Sequence, residues 1–246
     1  TINVSGANAQ GVAIEVDSIN NVVFNNTFYA FNSSAYAVSL WNYSRLNNIT
    51  NNTIVSNGSG AGIILHLIST ANQIEGNRIN VTGSSGYGLD FIDSSDNQTV
   101  RKNVILITGN GSKGVYLGNS SYNKLENNTI NNSGDTNSQG IYFTRQANFN
   151  NLSSNIIVTN GTTSVALYVD NSSSGRFFNN TFTTKRASAI GIQMQYANNQ
   201  EFMANTVNAT GYGIYIQTNS ENNSFVNTTI FSDATEALKD ENGLSF

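Results

Sequence analysis

Two short phrases recur along the chain with a shared period of about 25 residues, and no other feature restricts its fold as tightly. The first is an apolar residue, two residues, Asn, one residue, then an apolar residue. It reads Ile49-Thr50-Asn51-Asn52-Thr53-Ile54 and again Leu125-Glu126-Asn127-Asn128-Thr129-Ile130. Its anchors are Asn26, Asn52, Asn77, Asn103, Asn128, Asn155, Asn180 and Asn205, with Thr228 in the last copy; their spacings are 26, 25, 26, 25, 27, 25, 25 and 23. The second phrase is a small residue, an aliphatic, any residue, then an apolar one. It begins at Ala13-Ile14-Glu15-Val16 and Ala37-Val38-Ser39-Leu40, and returns as Gly62-Ile63-Ile64-Leu65 and Gly114-Val115-Tyr116-Leu117. Both phrases alternate with period two, the pattern of a short strand with one buried face.

Several strands in a unit this short leave no room for a helix, so each unit stacks on the last and pairs in parallel with its own copies. The small residue marks a close approach of backbone to backbone. The anchor Asn suits a tight corner, because Asn tolerates the left-handed conformation. Stacked about 4.8 Å apart, the anchor side chains are expected to form a hydrogen-bonded ladder. The expected core is Ile14, Val38, Ile63, Leu89, Val115, Ile141, Leu167, Ile192 and Ile214. The 43 Asn, 29 Ser and 23 Thr, with only 11% charged residues, would otherwise suggest a disordered polar tract. Their fixed phase argues for corners and turns, and the absence of Pro keeps every backbone N–H available to the ladders.

These phrases resemble the parallel β-helix repeat family of NosD-like and pectin-lyase-like proteins, in its surface-protein form. The resemblance covers Ile2 to about Leu238. It implies an all-β, single-stranded right-handed parallel β-helix with an aliphatic core, three short strands per coil and about nine to ten coils. Members of the family include carbohydrate-binding, carbohydrate-cleaving and purely structural proteins.

Composition narrows function further. There is no Cys and one His, which leaves no thiolate site, no cluster of His ligands and no Cys nucleophile. A net charge of −4 with scattered Lys and Arg lacks the basic footprint of a nucleic-acid binder. The longest apolar stretch, 61–68, is far shorter than the roughly 18 residues that span a bilayer. No metal, no cofactor, no nucleic acid and no membrane span are therefore expected. The chain opens at Thr rather than Met, as a processed or excised piece would. The expected domain is a single β-helix over 1–246 with both ends uncapped, which invites copies of itself to stack end to end into a filament.

Twenty N-x-[ST] sequons are present. A chain this rich in Asn, Ser and Thr writes them by composition alone, and a secreted protein can also carry glycans there. Asn32, Asn57, Asn80, Asn97, Asn110, Asn119, Asn160, Asn171, Asn208 and Asn222 are the candidates. In the second phrase the outward residue reads Glu15, Ser39, Ile64, Asp90, Tyr116, Tyr142, Tyr168, Gln193 and Tyr215. This Tyr strip, with Trp41, suits stacking against a linear polysaccharide; cross-strand Tyr pairs also simply stabilise an exposed sheet. The Thr row from Thr27 to Thr229 is interrupted by Arg78, Val104 and Ile156 and is too broken for an ice-binding face. Asp90, Asp93 and Asp96 form no cross-coil carboxylate cluster and read as solvated turn acids, with His66 too far from Asp90 to pair. No catalytic residue is assigned. The reading is an extracellular, cell-surface structural or adhesive solenoid, N-glycosylated and able to self-assemble. The alternative is a carbohydrate-binding or carbohydrate-cleaving β-helix using the Tyr strip.

Overall fold

The computed structural model describes residues 1–234 and 236–242; the end of the expected domain, 243–246, lies outside the described residues. Among the described residues, 29 strands form three parallel sheets of ten, ten and nine strands, and every strand but the two at the ends of each sheet pairs with its counterparts one coil before and after. Each coil runs through a four-residue strand of the first sheet, a loop, a strand of the second sheet, a loop, and a three-residue strand of the third. A two-residue corner then leads into the next coil, as from Asn48–Thr50 through Asn51 and Asn52 to Thr53–Ser56.

The register keeps like residues stacked. Ile54, Ile79, Ile105 and Ile130 form one aliphatic column and Ile63, Leu89, Val115, Ile141 and Leu167 another. These residues are fully buried and form one continuous core along the rod. Toward the C-terminal coils it turns aromatic, with Phe177 and Phe202 stacked at 4.3 Å and Phe202 and Phe225 at 4.8 Å. The small residue of the second phrase makes room for this packing. A Cβ on Gly114 would lie 2.4 Å from both the Gly140 carbonyl oxygen and Ile130 Cγ2.

Two sequence readings need correction. Ala13, not Glu15, pairs with Ser39, and Ile14 stacks on Leu40 rather than on Val38. Gly11-Val12-Ala13-Ile14 is the true first copy of the phrase, because both Gly11 and Ala13 satisfy its small-residue position. The left-handed corner residue is also not the anchor Asn. It is the residue before it, including Asn25, Asn51, Gly76, Lys102, Asn127 and Asn179, all with φ between 54° and 66°. The anchor turns inward instead, and its function is hydrogen bonding.

Candidate functional site

The anchor side chains run through the interior corner as a ladder. Asn128 Oδ1 accepts from both the backbone N and Nδ2 of Asn103, while Asn128 N and Nδ2 both donate to Asn155 Oδ1, at 2.9–3.0 Å. The same pattern links Asn52, Asn77, Asn103, Asn155, Asn180 and Asn205, all buried. Asn26 begins the row, half-buried, with only its backbone N on Asn52 Oδ1. A second ladder, which the repeat phrases did not reveal, stands five residues earlier: Asn21, Asn47, Asn72, Gln98, Asn123 and Asn150. It shares the period, but mixing Asn with Gln and then Gly175 dilutes the signal. Both ladders are structural, since the rungs of each bond to their own neighbours one coil away and to backbone, away from solvent.

Chemistry available to a ligand lies on the outer face of the second sheet. Each strand there presents three outward positions. The middle column is Ala13, Ser39, Ile64, Asp90, Tyr116, Tyr142, Tyr168, Gln193, Tyr215 and Lys239. Tyr142 and Tyr168 stack at 4.9 Å and 5°, so their rings face each other along the rod. Their hydroxyls are tied down: Tyr142 donates to Asp170 at 3.2 Å and Tyr168 to Gln195 at 2.7 Å. Tyr116 departs from the stack, turned 70° from Tyr142. Its ring fills the space over Gly118, where an added Cβ would lie 2.8 Å from the ring. Tyr215 lies two coils beyond Tyr168, hydrogen-bonded to Glu241 and under the Lys239 ammonium. Trp41 sits in the third outward column, edge-on to His66 at 4.5 Å.

Asp90 is not a solvated turn acid. It lies within the strand Tyr87–Ile92, 8% exposed, and its Oδ1 is buried with no hydrogen-bond partner among the described residues. Burial, with a smaller contribution from Asp93 and against the opposing Lys113, pushes its carboxyl up to about 7. The same burial pushes the Tyr87 and Tyr116 phenols up, and Asp90 adds to both shifts. His66 Nε2 bonds to Asp93 rather than to Asp90. The result is an acid poised near neutrality beside Tyr87 of its own strand and Tyr116 and Lys113 of the next coil, a grouping that shows only once the two coils are set in register.

Of the sequon residues, Asn57, Asn97, Asn110, Asn119, Asn171, Asn208 and Asn222 are exposed, while Asn32, Asn80 and Asn160 are half-buried. Asn32 is further held by a hydrogen bond to the Ser5 carbonyl. Among the described residues no helix is long and apolar enough to cross a membrane.

Three stacked parallel sheets with self-bonded corners define a parallel β-helix. The chain belongs to the right-handed β-helix family: residues 106–244 match its model, described as a right-handed beta helix region. Residues 1–106 match the model of the periplasmic copper-binding protein NosD. The residues there do not fit copper. That segment has no Cys or Met and one imidazole, His66, whose Nε2 is taken by Asp93. Nor do the described residues gather three His, Cys, Asp or Glu side chains as a metal site.

A search of curated proteins finds no match. Among solved structures, a double mutant of the periplasmic alginate epimerase AlgG is 16% identical, with a TM-score of 0.65, over 83% of this chain and 51% of that one. The Dettilon tailspike protein is 14% identical, with a TM-score of 0.57, over 98% and 60%. The A-module of the Azotobacter vinelandii mannuronan C-5 epimerase AlgE6 is 13% identical, with a TM-score of 0.51, over 96% and 84%. The chain thus spans about half the length of the AlgG structure. At these identities the likeness is one of fold.

Proposed function

We propose that this chain is an extracytoplasmic adhesive solenoid, a rigid rod that holds an extended carbohydrate against the outer face of its second sheet. The observation that carries the reading is the aromatic column Tyr116–Tyr142–Tyr168. It has one ring laid over Gly118 and two hydroxyls fixed by Asp170 and Gln195 at one-coil spacing. The half-exposed ring edges and hydroxyl oxygens recur at one-coil steps and can meet the C–H and O–H groups of a sugar chain, and a ladder with that step suits a linear polymer better than a compact ligand. The names of similar structures, alginate epimerases and a tailspike, support a carbohydrate, and the periplasmic setting named for NosD and AlgG supports a location outside the cytoplasm. Exposed sequons such as Asn57 and Asn110 are available to glycans, and an intact mass above the 26.5 kDa of the bare chain would register them.

The test is binding of the soluble chain to an array of linear neutral and acidic polysaccharides. Wild type and Tyr196→Ala, on an exposed corner, are expected to bind alike, with Tyr116→Ala and Tyr142→Ala losing the signal. Silence across the whole array, or full binding by Tyr142→Ala, would overturn the reading. A second reading, carbohydrate cleavage, is favoured by Asp90, since a carboxyl near neutrality is suited to general acid catalysis. It requires depolymerisation by wild type that Asp90→Asn abolishes.

A further inference from the structure

The third sheet carries a groove of about 660 Å³, away from the Tyr face. Along its edge runs a row of left-handed corner residues, one per coil: Leu46, Ala71, Asn97, Tyr122, Phe149, Ser174 and Asn199, all with φ between 54° and 60°. Bulky side chains seldom adopt this conformation. Tyr122 and Phe149 nevertheless adopt it side by side, half exposed and stacked at 5.0 Å and 7°. The stack then stops. Ser174 takes the next place, and Asn199 the one after. Phe149 and Asn199 are therefore about 9.6 Å apart along the rod, two coil spacings, and a single ring stacked on Phe149 fits between them over Ser174.

The internal ladder breaks at the same coil. Gly175 stands where the second ladder elsewhere has Asn or Gln, so the Asn150 amide meets no side-chain acceptor there, and Gln200 Oε1 takes the Gly175 N–H at 2.9 Å. A rule kept along the rod and broken beneath this groove points to use of the groove.

Charge then selects the ring. Arg176 lies beside the gap, and its Nε meets Glu201 at 3.3 Å, while its two Nη groups have no hydrogen-bond partner among the described residues. Lys124, in the same column two coils before, also has no ion pair among the described residues. Two cations against one paired carboxylate leave the groove with a net charge of about +1, and a guanidinium lining the groove beside the gap matches a carboxylate. We propose that this groove binds a six-membered ring carrying one carboxylate, stacked on Phe149 with its carboxylate on Arg176. A sugar acid and an aromatic acid share that chemistry.

The test is an NMR titration of the whole chain with four probes: benzoate, benzyl alcohol, glucuronate and methyl glucoside. Benzoate or glucuronate is expected to bind about tenfold more tightly than its neutral counterpart, the effect of one hydrogen bond to a charged group; whichever acid prevails identifies the source. Ser174→Phe is expected to remove binding by extending the stack into the gap, at a row position that already holds Phe and Tyr. Arg176→Gln is expected to leave ring contact and erase the preference for the acid. Equal binding of acid and neutral probes, no binding by any, or unchanged binding in Ser174→Phe each overturns the proposal. Circular dichroism of both variants confirms that the fold is kept.

Discussion

Replacing Asn128 by Ala takes one rung out of the middle of the Asn ladder. Its Oδ1 accepts two hydrogen bonds from Asn103, and its Nδ2 donates to the Val100 carbonyl and to Asn155 Oδ1, all at 3.0 Å. Four buried bonds vanish. Asn155 Oδ1 keeps the backbone N–H of residue 128, and Asn103 Nδ2 keeps the Ile74 and Arg101 carbonyls, but the Asn103 backbone N–H is left buried without an acceptor. At roughly 1 kcal/mol per bond, the loss is about 4 kcal/mol, a large share of a domain's usual stability of about 5–15 kcal/mol. Asn26→Ala is the internal control. Its side chain makes one hydrogen bond, to the Phe24 carbonyl at 3.0 Å, at a half-exposed site, so its loss is below about 1 kcal/mol. Guanidinium unfolding followed by circular dichroism measures both. Because coils couple chiefly to their neighbours, Asn128→Ala is also expected to broaden the transition or split it in two. If the two variants lose the same stability, the ladder is decoration and the argument from it fails.

Other outcomes follow from single sites. The folded pKa of Asp90 is raised above its unfolded value, so its contribution is intact in acid and is lost as pH rises from about 4 through about 7. Relative to Asp90→Asn, wild type should lose up to about 4 kcal/mol across that window and nothing further above it, read from unfolding at pH 4, 6 and 8. Gly114→Ala should fail to fold or unfold far earlier than wild type, since its Cβ meets backbone and Ile130 at 2.4 Å. Gly111→Asn, at φ +67° with the nearest atom 3.6 Å away, should change the melting temperature little. Tyr168→Phe removes the bond to Gln195 and should cost about 1 kcal/mol while leaving the Tyr142 stack in place.

The period was plain in the sequence because both phrases repeat apolar residues at fixed phase, and burial of those residues is what stacks the coils. Finer assignments failed where two residues met the same rule. Gly11 and Ala13 are both small, and the register of the first coil turns on which of them faces the core. Asn25-Asn26 and Asn127-Asn128 each offer two Asn, and only the closed corner reveals that the first bends the chain and the second bonds inward. Asp90 was beyond reach for a different reason. Its burial is made by residues about 26 positions away on either side, such as Ile64 and Tyr116, whose side-chain directions no local pattern fixes. The groove at Ser174 was hidden likewise, since an interrupted stack is visible only once the coils are aligned.

The central claim is that the Tyr column of the second sheet is the contact surface for an extended glycan. It is tested most directly by NMR of the chain with 13C-labelled Tyr rings, titrated with the oligosaccharide that binds best on the array. The account predicts saturable shifts at Tyr116, Tyr142 and Tyr168, with Tyr29 and Tyr196 unmoved. Shifts confined to residues outside the column, or none at saturating ligand, would contradict it.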